Sequence, residues 1–365
     1  MGLVSNSYLH RVISGEAHGI TPSLLRGIFC CGELFYASAT RIRNTLYDRG
    51  ILASHRLPVP VISVGNITAG GTGKTPIVRW LAQGIKERNF NPAILMRGYH
   101  RSAAGISDEQ ALLTEQLKVH GIIVHAQPDR VAGGRHVLVQ HPQTNLFILD
   151  DGFQHRRLAR DIDILLIDAT NPFGHGHVPP RGLLREPPTG LRRATAIIFT
   201  RCEQVPATAL DAIERNVRKY TPAPIFHARF DHSGLRTPSL PTSAPSDLSL
   251  DALKSRRIFV VAAIANPTPL ESSLRKISAE YKGTWWLPDH HHYSPSDLAT
   301  LLRRATQAGA DTIITTEKDW VKLRSLPSAS NASPPILRLD LDIHLDPNHE
   351  PLLWDLITAR LRRPQ

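Results

Sequence analysis

Residues 61–75 read Val61-Ile62-Ser63-Val64-Gly65-Asn66-Ile67-Thr68-Ala69-Gly70-Gly71-Thr72-Gly73-Lys74-Thr75, an apolar run leading into a glycine-rich loop that ends in Gly-Lys-Thr. Such a loop lets successive backbone N–H groups converge on phosphate oxygens, and a helix starting at its end adds the positive end of its dipole. Lys74 supplies a point charge to the β and γ phosphates of a nucleotide, and the Thr75 hydroxyl is suited to ligate magnesium. Pro76 fits the first turn of the following helix, where a missing N–H costs nothing. The usual motif has glycine five residues before Gly73, and Thr68 stands there instead. The phosphate-binding run is therefore Thr68, Ala69, Gly70, Gly71, Thr72, Gly73, Lys74 and Thr75, and its chemistry is that of a nucleotide γ-phosphate.

A phosphate loop needs a carboxylate at the end of a neighbouring strand to hold magnesium, directly or through water. Asp150 and Asp151 follow the apolar run 146–149, and Asp168, after 162–167, is a rival. Aspartate at a strand end also serves as a turn former or helix cap, the plainer reading of each. Asp289-His290-His291-His292 invites a zinc reading, but consecutive side chains of an extended segment alternate in direction and do not easily aim at one ion. Arg97, Arg101, Arg181 and Arg185 are of the type that forks onto phosphate, and each is equally readable as an ordinary surface arginine. Glu186 is suited to pair with an arginine or the metal.

The elements that must position these groups form an α/β pattern from residue 58 onward. Apolar runs at 59–64, 93–96, 122–125, 146–149, 162–167 and 196–200 lack alternation, as strands covered on both faces of a parallel sheet do. Between them lie helical patterns such as 76–88, with Ile77, Leu81 and Ile85 at helical spacing. Residues 237–249 are rich in Pro and Ser and read as a linker. A second α/β set follows, with strands at 258–263, 284–287 and 312–315. The expectation is a P-loop-type parallel sheet domain over 51–235, a smaller C-terminal α/β domain over 236–365, and an amphipathic, membrane-associating segment over 1–50.

The chain has 365 residues, long for one hydrophobic core, and a formal net charge of +11 that attracts polyanions of any kind. Its three cysteines, Cys30, Cys31 and Cys202, suggest a reducing compartment without structural disulfides. No secretory signal is read at the N-terminus. Residues 24–36 are apolar but interrupted by Arg26 and Glu33, too short and charged to span a bilayer. They suit a helix lying in a membrane surface, or equally one packed on the protein's own core.

A guanine-specific switch would carry Asn- or Thr-Lys-x-Asp, and in Thr316-Glu317-Lys318-Asp319 the spacing fails. Further segments then combine in order: Val64-Gly65-Asn66 with the phosphate loop, Arg97-Gly98-Tyr99, Asp108-Glu109, Asp150-Asp151-Gly152-Phe153-Gln154-His155, Leu184-Arg185-Glu186-Pro187, Asn266-Pro267, Asp289-His290-His291 and Thr316-Glu317-Lys318-Asp319. This series resembles the tetraacyldisaccharide 4′-kinase family, from about the N-terminal apolar segment to Leu323.

The resemblance implies a two-domain enzyme at the cytoplasmic face of the bacterial inner membrane, peripheral or monotopic. It would use ATP and Mg2+ to phosphorylate the 4′-hydroxyl of a tetraacylated glucosamine disaccharide 1-phosphate in lipid A biosynthesis. The partners implied are that lipid substrate and an anionic membrane surface, with no nucleic acid expected. Carried over from the family, Asp108 is the general base, His290 its orienting partner and Lys74 the catalytic cation. Thr75, Asp150, Asp151 and Glu109 would face the metal or its water shell. Ser107 and Gln110 flank the Asp108-Glu109 pair where the family usually has Gly and Pro, and Ala263-Ile264-Ala265 replaces a glycine-containing turn. Pro180-Arg181-Gly182 alters a Pro-Ala-Gly-Pro stretch. These departures touch loop geometry rather than chemical groups. The competing class is a nucleotide-dependent switch or binding protein, associated with a membrane or nucleic acid, that uses hydrolysis only to change conformation.

Overall fold

A computed structural model describes residues 8–9, 11–98, 107–238, 247–264, 266–278, 280–289 and 291–362. One sheet of eleven strands runs through them in the order β3-β2-β4-β1-β5-β6-β7-β11-β10-β8-β9. The nucleotide side consists of β1 (Val61–Asn66), β2 (Pro92–Met96), β3 (Ile123–Ala126), β4 (Leu146–Asp150), β5 (Ile162–Asp168) and β6 (Ala196–Thr200), all parallel. The far side consists of β8 (Arg257–Ala263), β9 (Glu280–Leu287) and β10 (Thr312–Thr316), also parallel. Two long strands join them, β7 (Ile225–Arg236) and β11 (Ile336–Leu345), and these pair antiparallel with each other. The mixed α/β fold expected from the alternating runs is the one observed.

The strands read from unalternating apolar runs are buried at every position in β1, β2 and β4, because helices cover both faces. Removing each Ile, Leu or Phe side chain from water contributes roughly 1.5–3 kcal/mol. β7 and β11 escaped the reading because they carry His, Arg and Asp between their apolar residues: β7 is Ile-Phe-His-Ala-Arg-Phe-Asp-His-Ser-Gly-Leu-Arg. They span the position expected for a domain junction, so the sheet passes through it unbroken.

Helices α1 (Ile20–Asp48), α2 (Lys74–Glu87), α3 (Asp108–Lys118), α4 (Arg130–Gln140) and α5 (Ala207–Arg218) belong to the first half. Helices α6 (Thr268–Ile277), α7 (Pro295–Gln307) and α8 (Glu317–Leu323) belong to the second, and α9 (His349–Leu361) follows β11. α9 returns to the first half. Leu353, Trp354 and Ile357 join the core that holds β1 and α2, and the Trp354 ring lies 4.8 Å from that of Trp80.

α1 lies on the outside. Pro22 and Ala37 are its buried residues, and Ala37 joins a core cluster of the first half, so α1 packs on the fold by one face. Ile20, Leu24, Ile28, Leu34, Phe35 and Ile42 are exposed, Phe35 at 81%. Their spacing puts them along one stripe of the helix. Among the described residues no helix is long and apolar enough to cross a membrane.

Candidate active site

β1 delivers the phosphate loop at its carboxyl end, between β4 and β5. Gly73 ends the loop at φ 80°, in the left-handed region, and a Cβ there would run into the Phe230 ring. Both facts require glycine. The loop is pinned from two sides. The Thr200 hydroxyl donates to the Thr72 carbonyl (3.0 Å) and the Arg201 guanidinium to the Gly71 carbonyl (2.7 Å). On the other side the Ala69 N–H donates to the Leu183 carbonyl and the Arg185 N–H to the Ile67 carbonyl, both at 2.6 Å. Thr68 accordingly pairs with Leu184 in an antiparallel bridge, an extended conformation that any residue adopts. That explains why a non-glycine serves at this position.

The two aspartates after β4 have different surroundings. Asp150 sits opposite Val64 of β1, 6% exposed, and its Oδ1 is buried without a hydrogen-bond partner among the described residues. Burial raises its pKa to about 7, with Glu109 and Asp151 pushing the same way and Lys74 opposing them. Asp151, at φ 50°, turns the other way. Both of its oxygens accept from Arg185 (2.6 and 2.8 Å), and Lys74 Nζ stands 3.7 Å from Oδ1. Burial works to raise its pKa, but Lys74 and Arg185 outweigh that and hold it below the usual carboxylate value. Lys74 also reaches Asn66 Oδ1 at 3.5 Å, while the Asn66 amide donates to the Thr68 carbonyl. The structure thus brings together Lys74, Asp150, Asp151 and, through its field at Asp150, Glu109.

The rival Asp168 is taken up by Arg201 and by the backbone and hydroxyl of Thr170. Glu186, read as a partner for an arginine or the metal, is 1% exposed and fully engaged by Arg193, Asn44 and Gln154. It ties α1 to the loop after β4. Arg181 donates to the Ile13 carbonyl. Among the described residues no three His, Cys, Asp or Glu side chains gather as a metal cage. A magnesium ion held by one or two carboxylates plus substrate phosphates requires no such cage.

Sequence reasoning missed Arg130, and it gave His155 no role beyond its place in the 150–155 segment. Arg130 opens α4 after the Asp129 cap, is 5% exposed, and feels the charges of Arg97, Asp151 and Asp150. Its guanidinium lies 3.3 Å from His155 Nδ1, and His155 is pushed down to about pKa 4, by burial first and then by Arg130 and Arg160. A buried arginine announces itself by its neighbours in space, and nothing in the local sequence marks it.

Asp108 occupies the first turn of α3, capped by Ser107, whose hydroxyl accepts from the Gln110 N–H. Its carboxylate meets Lys322 Nζ of α8 at 3.0 Å, and the same ammonium donates to the His291 carbonyl at 3.0 Å. The expected partner His290, like Arg101, lies outside the described residues. The His291 ring pairs with Asp297 instead of pointing at Asp108.

Residues 28–362 match the family described as tetraacyldisaccharide-1-P 4′-kinase, LpxK. A tetraacyldisaccharide 4′-kinase of Syntrophus aciditrophicus (strain SB) is 40% identical, over 80% of this chain and 82% of that protein. One of Anaeromyxobacter sp. (strain Fw109-5) is 35% identical, over 97% and 95%. The crystal structure of LpxK from Aquifex aeolicus in complex with ATP aligns with a TM-score of 0.71 and 28% identity, over 92% of this chain and 99% of that one. These likenesses do not favour a switch protein. The family match over residues 28–362, together with relatives 40% and 35% identical along most of the chain, places it in the tetraacyldisaccharide 4′-kinase family.

Proposed function

We propose that the protein transfers the γ-phosphoryl group of ATP, with magnesium, to the 4′-hydroxyl of a tetraacylated glucosamine disaccharide 1-phosphate, at the cytoplasmic face of the bacterial inner membrane. The observation that carries the reading is the Asp150 carboxylate, buried beside Lys74 with an unpartnered Oδ1. A buried acceptor left without a donor is costly unless a ligand completes it, and its chemistry suits a hard cation. Thr75 and Asp150 would hold that ion, with Glu109 at its water shell and Asp151 behind them, where it keeps Lys74 and Arg185 in place. Magnesium supplies charge neutralisation at the transferring phosphate.

The chain's own residues do the rest. Backbone N–H groups of residues 70–75 orient the phosphates, and the Lys74 ammonium meets charge developing on the γ-phosphoryl oxygens. Asp108 takes the proton of the 4′-hydroxyl as its oxygen bonds to phosphorus and the bond to the departing ADP breaks. Residues 51–235 form the nucleotide-binding kinase domain, 236–365 a smaller α/β domain whose last helix, α9, packs back on the first, and residues 1–50 the membrane segment. The apolar stripe of α1, with Arg26, Arg41 and Arg43 on the same helix, suits insertion at an anionic headgroup boundary.

The test is mass spectrometry of the lipid after incubation with ATP, magnesium and the disaccharide monophosphate. A gain of one phosphate on the lipid, absent without protein, is expected. ATP turnover indifferent to the lipid, with no phosphorylated product, would overturn the reading.

A further inference from the structure

Two lysines, one helical turn apart on α8, reach toward the same loop. Lys318 Nζ lies 3.2 Å from Asp289 Oδ1, and Lys322 Nζ lies 3.0 Å from the His291 carbonyl. They therefore hold Asp289 and His291. α8 is itself firmly placed. The Thr316 hydroxyl caps it against Asp319, and the buried Asp319 carboxylate accepts from the Ala263 N–H at the end of β8. Lys322 differs from Lys318 in two respects. It is 9% exposed, and its ammonium also meets Asp108 Oδ2 at 3.0 Å, across the junction between the two halves.

Other contacts also cross the junction. Arg79 of α2 joins Glu317 and Asp342, Gln116 of α3 donates to Glu317, and Arg324 pairs with Glu115. What Lys322 does that none of those pairs does is fix the carboxylate of Asp108. A charge-assisted bond of an ammonium to one carboxylate oxygen sets the rotation of the group and leaves the other oxygen to face a reactant. The same ammonium ties that rotation to the position of His291.

We propose that Lys322 is a positioning residue for phosphoryl transfer: held between the His291 carbonyl and Asp108 Oδ2, it orients the Asp108 carboxylate so that Oδ1 receives the acceptor hydroxyl proton. This rests on the reading of Asp108 as the base. Lys322 touches neither reactant, and its effect passes through Asp108.

The experiment is a double-substitution cycle on the full chain, with lipid phosphorylation, nucleotide affinity and Tm measured for each protein. Lys322→Met keeps the aliphatic stem and removes the ammonium. It lowers kcat about 10- to 100-fold, the scale of a misplaced reacting group, and leaves KM for ATP and nucleotide affinity near wild type. In an Asp108→Asn background the same change lowers turnover less than about twofold, because residues acting as a unit are not additive. A residue that merely holds the fold would lower Tm while kcat per folded molecule stayed put, and its loss would multiply with that of Asp108→Asn. Either result overturns the proposal. Lys322→Gln, which keeps a donor for the His291 carbonyl, carries the same expectations if Lys322→Met does not fold. Normal lipid turnover by Asp108→Asn alone would sink the reading of the base and this inference with it, whereas an inactive Asp108→Asn beside a fully active Lys322→Met removes only the inference.

Discussion

The two sides of the reaction centre are built on different principles. The nucleotide side is local. Loop residues 67–73 join β1 directly to α2, and Asp150 ends the strand hydrogen-bonded beside β1. Its pinning contacts come from strand ends and the 183–185 segment packed around one parallel sheet. The acceptor side proposed above is assembled from distant chain. Asp108 stands at the start of α3, and what meets it is Lys322 of α8, from beyond the antiparallel β7–β11 seam. A site made of one strand–loop–helix unit inherits its geometry from the fold core. A site made of ion pairs across a seam depends on each pair, and on the two halves keeping their register.

The contrast can be broken most sharply at Asp108. Asp108→Asn should cost roughly two to four orders of magnitude in lipid phosphorylation, the usual range for a general base, with nucleotide affinity close to wild type. Loss of nucleotide binding in that variant would mean that the two sides are not separable. Lys74→Ala should lower turnover by at least about two orders of magnitude, since one fixed charge at the transferring group is gone. Here nucleotide affinity falls too, and a folded Lys74→Ala protein with near-normal turnover would contradict the assignment of the phosphate loop.

A third measurement concerns stability rather than rate. The folded pKa of Asp150, about 7, lies above its unfolded value near 3.8, so the folded protein holds this proton more tightly. Stability is therefore lost as pH rises from about 4 through about 7, where the buried carboxylate must carry charge. Asp150→Asn should raise Tm in metal-free buffer at pH 8, and the difference from wild type should shrink toward pH 4, while phosphorylation is abolished. An unchanged or lower Tm at pH 8 would show that the charge is already compensated in the fold.

The smallest effect on the centre itself is expected from α1. Changing Ile28, Leu34 and Phe35 together to Ser should release the protein from anionic liposomes in a co-sedimentation assay and leave Tm within a degree or so, because exposed apolar groups contribute little to folding. ATP affinity should not move. Undiminished co-sedimentation would remove the membrane role from this helix.

Much of the nucleotide side was legible in the sequence because each of its signals is contiguous. A β-rich run, Gly70-Gly71-Thr72-Gly73-Lys74-Thr75 and Pro76 together specify a strand, a phosphate cradle and a helix start, and Asp150-Asp151 after an apolar run marks a strand end. The distinction between those two aspartates was not legible. Asp151, at a positive φ, is held by Arg185, whereas Asp150 keeps an Oδ1 without a partner among the described residues. β7 and β11 were hidden for another reason: polar residues interrupt their apolar pattern where the two strands cross the seam.

The sequence by itself determined the α/β class, the phosphate loop with Lys74 and Thr75, and, through the order of its motifs, the family. All of these rest on neighbours along the chain, which local geometry keeps together whatever the rest does. Only the tertiary structure decided that α1 turns its apolar stripe outward, that Glu186 is consumed by Arg193, Asn44 and Gln154, and that Lys322 meets Asp108. An ion pair between chain segments so far apart has no trace in either segment. It exists because eleven strands in one order bring α3 and α8 side by side, and that order follows from packing the whole sheet.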